Sequence, residues 1–386
     1  MRSASLRPFV VLPLLVALPL SAALVAPAAH AQKLAKYGAD FLSGGVGGQA
    51  LGMGAAVALA SDVSAGYWNP AGLSALNYPQ IGALHAERFG GVVSFDYASA
   101  AFPVSGRSTL GLSVFRSGVN DIKNTLDAWD AERDQPKDNY DSFISTFSAA
   151  DWAFFASYAR QVRGPLSVGV TGKAIRRTLG DFADAWGFSF DVGAQYRVGR
   201  VRLGANLQDV AGQYQTWSVN PDAFNVNGQT NPETGEAYSF AETFGQDLPA
   251  GGTYVVPPLA RLGAGYDLPL GGGATATLGA DLDLAFDNRR AYAFNAGRVS
   301  MSPRVGTELA YKGVVAFRAG LGRIEPGADG TGISFSPVLG AGLTLKQVQF
   351  DYGFGDFAGV TQELGLTHRI TARLTLEQPR FARRGN

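Results

Sequence analysis

Residues 346–355 read Lys-Gln-Val-Gln-Phe-Asp-Tyr-Gly-Phe-Gly, and the order of those residues decides the fold. Val348, Phe350, Tyr352 and Phe354 alternate with Gln349, Asp351, Gly353 and Gly355. Successive side chains of a strand point to opposite faces, so this segment has one apolar and one polar face. The same period of two recurs where Trp186, Phe188, Phe190, Val192, Ala194 and Tyr196 alternate with Gly187, Ser189, Asp191, Gly193, Gln195 and Arg197. It recurs again over 275–286 and 364–376. Segments of about ten residues with this alternation are the pattern of a transmembrane β-barrel. A soluble sandwich shows the same alternation, so no single strand decides between them.

The connections decide. Fourteen strands are expected, near 80–87, 92–102, 107–116, 151–161, 165–177, 186–197, 200–209, 258–268, 274–286, 303–312, 313–324, 334–345, 347–357 and 364–376. Connections after even-numbered strands are short, at 103–106, 162–164, 198–199, 269–273, 312–313 and 346. The long ones, 117–150, 210–257 and 287–302, all follow odd-numbered strands. Short turns at one rim and long loops at the other are the rule for outer-membrane barrels, with the short turns periplasmic. The fold class is therefore all-β, an antiparallel transmembrane β-barrel of about 14 strands. An even count puts both termini in the periplasm.

Composition and export agree. The 386 residues carry formal net charge +0, only 17% charged residues, 50 Gly and no Cys. That charge fraction is below the roughly 25% usual for soluble globular domains, and with 46% hydrophobic residues it argues against disorder. Neutrality argues against nucleic-acid binding, which needs a clustered basic field. Without cysteine there is no disulfide, thiolate metal site or lipid anchor on Cys. Residues 1–31 read as a cleaved signal: Arg2 and Arg7, an apolar stretch over 9–25, then Ala29-His30-Ala31 before Gln32. Beyond it, the longest uncharged run, 41–61, is broken by six glycines and makes no spanning helix. Without such a helix, only a closed barrel satisfies the backbone in lipid.

Residues 32–79 precede the barrel and lack alternation, so they read as a plug or latch segment tucked under it. A short helix is expected over 49–60. Trp68-Asn69-Pro70-Ala71 then makes a turn, because Pro70 presets φ and pushes Asn69 out of the helical region. The stretches Ala50-Leu51-Gly52-Met53-Gly54-Ala55-Ala56, Ala58-Leu59-Ala60-Ser61-Asp62-Val63-Ser64-Ala65 and Tyr67-Trp68-Asn69-Pro70-Ala71-Gly72-Leu73 resemble the start of PorV/PorQ-type outer-membrane proteins. The Asn-Pro-Ala element is also similar to the N-terminal hatch of FadL-type transporters, and Leu364-Gly365-Leu366-Thr367-His368-Arg369-Ile370 resembles the PorV/PorQ closing strand. The resemblance implies a fourteen-stranded barrel, here over 80–376; unlike the family, the chain continues past the last strand, as an expected periplasmic tail over 377–386, instead of ending on a terminal aromatic.

The polar face places Lys173, Asp191, Gln195, Arg197, Asp281, Asp283, Arg318, Gln349, Asp351, Arg369 and Arg373 in the lumen. Signs are mixed there, so the charges read as paired or solvated in a wet interior and not as an ion-selective pore. Trp152, Tyr158, Trp186, Tyr196, Phe286 and Tyr311 suit interfacial girdles. Past the signal there are two histidines, His85 and His368, and no G-x-S-x-G elbow. Gly45-x-Gly47-x-x-Ala50 half-matches a dinucleotide fingerprint but follows no strand. Neither catalysis nor a cofactor nor a metal is expected.

Two loops carry the remaining signal. In 117–150, Ile122, Leu126 and Trp129 fall at helical spacing, suggesting an amphipathic helix near 121–133. The 210–257 loop has five acids, no Lys or Arg, and aromatics that include Tyr214, Trp217, Phe224, Tyr238, Phe240 and Phe244. It reads either as a cover over its own barrel mouth or as a partner or ligand surface, where aromatics give affinity and charge gives steering. The resemblance implies a non-enzymatic protein in outer-membrane lipid that docks protein partners in type IX-like secretion or surface attachment. The alternative is a FadL-like channel taking a hydrophobic ligand.

Overall fold

The computed structural model describes residues 33–34, 40–248, 250–288, 292–326, 332–355 and 367–383. The chain divides into two units, Met1–Lys33 and Leu34–Asn386. The signal at 1–31 and the first residues of the resembling closing segment, 364–366, lie outside the described residues.

Fourteen antiparallel strands form the larger unit. They are β1 Gln80–Arg88, β2 Val93–Pro103, β3 Ser108–Asn124, β4 Ser145–Arg163, β5 Leu166–Leu179 and β6 Ala183–Val198. β7 is in two pieces, Val201–Gln208 and Gln213–Val219, and so is β8, Gly252–Val256 and Leu259–Gly271. β9 Ala274–Ala285, β10 Val299–Tyr311, β11 Val315–Pro326, β12 Ile333–Leu345, β13 Val348–Gly355 and β14 Thr367–Thr375 complete the order. Each pairs with the next, and β14 returns to β1 from Gln80↔Thr375 to Glu87↔His368, so the sheet has no free edge. Closure removes the unpaired edge that lipid could not solvate.

The alternation explains which way each strand faces. On β6, Trp186, Phe188 and Phe190 project outward, each more than half exposed, while Ser189 and Asp191 are buried inside. On β11 and β14, Phe317 and Ile370 face out, with Arg318 and Arg369 within. A continuous outer belt of large apolar side chains around a polar interior is a membrane-spanning wall. Tyr158, Trp186, Tyr196, Phe286 and Tyr311 lie on it exposed, and Trp152 stacks on its neighbour Phe154 at 6.3 Å.

Strand number and order match the sequence reading, and three local features differ from it. The 210–257 stretch is not all loop. Residues 213–219 continue β7 against β6, from Tyr214↔Phe188 to Val219↔Ala183, and 252–256 extend β8. A four-residue bulge at 209–212, with Asp209 and Gly212 at positive φ, faces Pro257-Pro258, which have no N–H, and this break hides the continuity. No helix forms over 121–133. β3 bulges at Asp121 (φ 57) and keeps pairing with β4 to Asn124, and only a single 3₁₀ turn, Leu126–Ala128, follows. The N-terminal helix covers Gly48–Met53 and stops at Gly54, whose left-handed φ of 67 sends its N–H back to Ala50 and Leu51.

The N-terminal segment lies inside the barrel and not beneath it. Helices α1 Asp40–Ser43, α2 Gly48–Met53 and α3 Ala65–Trp68 lead into a 3₁₀ helix, Pro70–Ala75. α2 packs on β10–β14, while the 3₁₀ helix packs on β3–β6. Val46, Leu51, Trp68 and Leu73 are fully buried by this placement.

Candidate functional site: the lumen and the segment within it

The segment is held by its backbone. Asn69 adopts an extended conformation (φ −161), and its Oδ1 accepts from Ala71 N–H at 3.2 Å, which starts the 3₁₀ helix. Its amide nitrogen reaches the carbonyls of Val57 (3.1 Å), Ala194 (3.0 Å) and Ala205 (3.3 Å), tying the segment to β6 and β7. Trp68 Nε1 donates to Val46 O at 2.9 Å, and the Arg261 guanidinium sits 5.6 Å over its ring. Asp281 accepts from Ala56 and Val57 N–H at 2.7 and 3.1 Å. Arg369 donates to Gly45 O at 2.9 Å, and Arg373 pairs with Asp62.

Glycines in the wall make room for that backbone. Gly265, Gly279, Gly306 and Gly320 are successive cross-strand partners on β8–β11, and Gly340 pairs with Gly353 on β12–β13. A Cβ at Gly306 would stand 1.7 Å from Met53 O, and one at Gly193 would stand 2.1 Å from Asn69 Oδ1. No side chain fits at either place. The sequence carries a signal for this seat, since these glycines fall in the polar, inward phase of their strands.

The inner wall has two halves. From β1 to β5 it is apolar: Leu84, Phe95, Tyr97, Phe115, Phe155 and Ile175 pack with Phe41, Val46, Tyr67 and Trp68 of the segment. Phe41 and Phe115 lie 5.9 Å apart by ring centroid, Phe95 and Phe115 5.8 Å. From β5 to β14 it is ionic. Lys173 Nζ sits 2.8 Å from Asp191 and 2.5 Å from Asp209. Arg304 is 2.7 Å from Asp283 and 3.7 Å from Asp281, and Arg261 is 3.7 Å from Asp283. Arg318 bridges Glu308 (2.6 Å) and Asp351 (2.8 Å). Buried charges survive only when paired in this way.

Of the lumen residues read from the sequence, Asp191, Asp281, Asp283, Arg318, Asp351 and Arg369 are buried inside, and Arg373 is partly buried. Arg197 shares their face but is exposed near the short-turn rim. The sequence reading missed Asp209, Arg261, Arg304 and Glu308, as well as the inward aromatics. In β2 the polar phase turns outward, with Asp96 outside between Phe95 and Tyr97, so the polar-in rule fails there.

Loop aromatics pack mainly on each other. Phe182–Phe224 (4.8 Å), Phe224–Phe240 (5.8 Å) and Phe240–Phe244 (4.9 Å) continue to Trp129 (6.1 Å) in the preceding long loop. Gln229 joins the two loops, accepting from Ala131 N–H at 2.7 Å. Tyr238 pairs with Val226 in a small hairpin. Tyr214 and Trp217 belong instead to β7. Tyr214 stacks on the outer wall against Phe188 at 5.5 Å, and Trp217 lies under the Arg177 guanidinium at 5.3 Å.

A cavity of about 310 Å³ separates the segment from strands β10–β14, β1 and β2. One end touches Trp68, Leu84 and Tyr97, at the edge of the apolar half, and the other reaches the β10–β11 turn at Gly313 and Val314. Asp62 and Arg373 are also among its lining residues.

Two solved structures share this architecture over nearly their whole length. The CymD monoaromatic hydrocarbon channel aligns over 86% of this chain and 98% of its own, with TM-score 0.52 and 12% identity. The Pseudomonas putida toluene transporter TodX aligns over 85% and 96%, with TM-score 0.52 and 13% identity. What the chain shares with them is the fold, a closed antiparallel β-barrel. No protein-family model matches the chain, and no curated protein shows significant sequence similarity to it.

Proposed function

We propose that the protein is a channel for small hydrophobic molecules in the outer membrane, with its short turns and both termini in the periplasm. The observation that carries this reading is the apolar half of the lumen, where Phe95, Phe115 and Phe155 line the wall beside Phe41 and Tyr67. A wall of this kind offers an ion nothing in place of its hydration, whereas an apolar solute gains by leaving water onto it. Two proteins of this fold are described as a monoaromatic hydrocarbon channel and a toluene transporter, which supports the same reading.

Protein docking of the PorV/PorQ kind needs aromatic anchors free to enter a partner. Phe224, Phe240 and Phe244 are engaged with one another and with Trp129, which favours the loops as a cover for the mouth. Toluene uptake into proteoliposomes separates the two. Uptake well above that of protein-free vesicles is expected. No uptake, together with specific capture of a partner from solubilised outer membrane that depends on the 220–251 loop, would overturn the channel in favour of docking.

A further inference from the structure

The outer wall changes character within one step of the strand register. Ala98, Val114, Phe154, Ala174 and Phe188 are successive cross-strand partners on β2–β6 and face outward as one apolar row. Two residues nearer the long loops, the outward row is Asp96, Arg116, Trp152, Arg176 and Trp186, each again opposite the next. Beyond it come Ser94, Gly118, Thr178 and Asp184. The apolar belt therefore ends at the middle row on this side of the barrel. At the same end of β9–β12 the outward side chains are apolar, Leu284, Met301 and Phe335 among them, so the charged row is a patch and not a girdle. The Arg116 guanidinium sits 5.7 Å over Trp152, and that of Arg176 5.0 Å over Trp186. Both lean toward the long loops. A Cβ at Gly118 would stand 2.7 Å from Arg116 Nη2, so the glycine leaves the space that the guanidinium takes. Arg176 Nη1 bonds Asp184, one step nearer the loops. Arg116 Nη1 lies 3.5 Å from Asp96 and donates to Ser94 Oγ at 3.4 Å, while Asp96 also meets His85 Nδ1 at 2.8 Å. Nε and Nη2 of both arginines have no protein acceptor among the described residues, and both side chains are partly exposed on the outer wall.

We propose that this row on β2–β6 is a binding site for the phosphorylated glycolipid of the outer leaflet. Arg116 and Arg176 take its phosphates, and Asp96 and Asp184 accept from its sugar hydroxyls beside Trp152 and Trp186. A guanidinium with open N–H groups is costly against hydrocarbon, whereas a phosphate takes two of them in parallel. Trp152 is the register partner of both arginines, so they stand two strand spacings apart, about 10 Å. That suits a headgroup with more than one phosphate. Carboxylates between the cations would repel a simple anion, but they match a headgroup that also brings hydroxyl donors, and indole faces suit sugar rings. A phospholipid carries one phosphate and no ring. Short turns in the periplasm, the orientation proposed above, put this row in the outer leaflet; nothing here depends on what passes through the lumen.

The test heats the protein in detergent micelles alone, with purified lipopolysaccharide, with the same lipopolysaccharide after phosphatase treatment, or with phosphatidylglycerol. The temperature at which the heat-modifiable gel shift disappears is read in each case. Lipopolysaccharide should raise it by several degrees in the parent and in Arg160→Gln, a change in the same outward phase near the short turns. It should leave Arg116→Gln/Arg176→Gln unmoved. Without lipid, the double variant should lose its shift within about a degree of the parent, since partly exposed ion pairs contribute little. Phosphatase-treated lipid and phosphatidylglycerol should give only a small part of the rise. A double variant protected as fully as the parent, or a parent that lipopolysaccharide does not protect, overturns the site. Phosphatidylglycerol protecting as well as lipopolysaccharide reduces the row to unspecific charge and overturns it too. Protection by phosphatidylglycerol alone would turn this end toward the inner leaflet, and the proposed orientation falls with the site. Should the double variant not refold, Arg116→Gln and Arg176→Gln are read singly. Each should lose part of the rise, and two single variants protected like the parent end the proposal. None of these outcomes depends on toluene uptake, so the channel reading stands or falls separately.

Discussion

Asn69 joins more of the structure than any other small side chain in the lumen. It starts the 3₁₀ helix with its oxygen and reaches β6 and β7 with its nitrogen, and Gly193 leaves it space. Replacing Trp68, Asn69 and Pro70 together with Ala strands several buried carbonyls at about 1–3 kcal/mol each. It also empties the volume of an indole, at about 3–5 kcal/mol. Limited proteolysis should then cut within residues 40–76 far faster than in the parent, while the barrel keeps its gel shift. Equal proteolysis rates would show that the anchor lies elsewhere. At this scale the sequence was readable only where alternation held. Asp191, Asp281 and Arg318 fall in the polar phase of regular strands and are inside as expected. Phe95 and Tyr97 are inside too, for the opposite reason: they pack on Phe115 of the neighbouring strand, which itself meets Phe41 of the segment, and no local pattern announces that contact.

Among the elements, β7 and β8 separate local from tertiary information most clearly. Residues 213–219 look like loop because Asp209 and Gly212 interrupt the period, yet six of them, 214–219, ladder on β6. The ladder on an existing strand outweighs the weak local preference of a polar stretch. The strands that were legible, such as β9 and β13, are uninterrupted, and β13 begins straight after a tight turn at Lys346, which takes positive φ. Correcting the loop's bounds sharpens a prediction. Replacing 221–250 by a short Gly-Ser linker leaves both extensions paired, so membrane insertion and the heat-modifiable shift should persist. Because Phe224, Phe240 and Phe244 leave with the loop, Trp129 loses its ring neighbour, and its fluorescence should shift to the red. A barrel that no longer inserts would mean the loop has a folding function that its packing does not show.

For the molecule as a whole, the wall and its contents are separable. The fourteen strands close through β1 and β14 without using any residue of the segment. Deleting 40–76 should therefore leave a barrel that still resists unfolding in detergent at room temperature, and the lumen it leaves behind should conduct ions strongly in planar bilayers. The charges of the lumen, among them Lys173, Asp191 and Arg369, would then face water, which charges accept readily. Failure of the truncated chain to reach a heat-modifiable form would make the segment a folding template as well as an occupant.

The glycine seat sets where this protein tolerates change. Met53 O and the Asn69 amide press on Gly306 and Gly193, so the fit depends on main-chain and amide atoms of the segment and on the absence of atoms in the wall. In a saturation library scored for segment retention by protease, any side chain at Gly306 or Gly320 should be rejected, alanine included. Met53, which offers only its carbonyl there, should accept other apolar residues of similar volume. At this contact the occupant is free to drift in sequence while its container is not, the reverse of a pocket that recognises side chains.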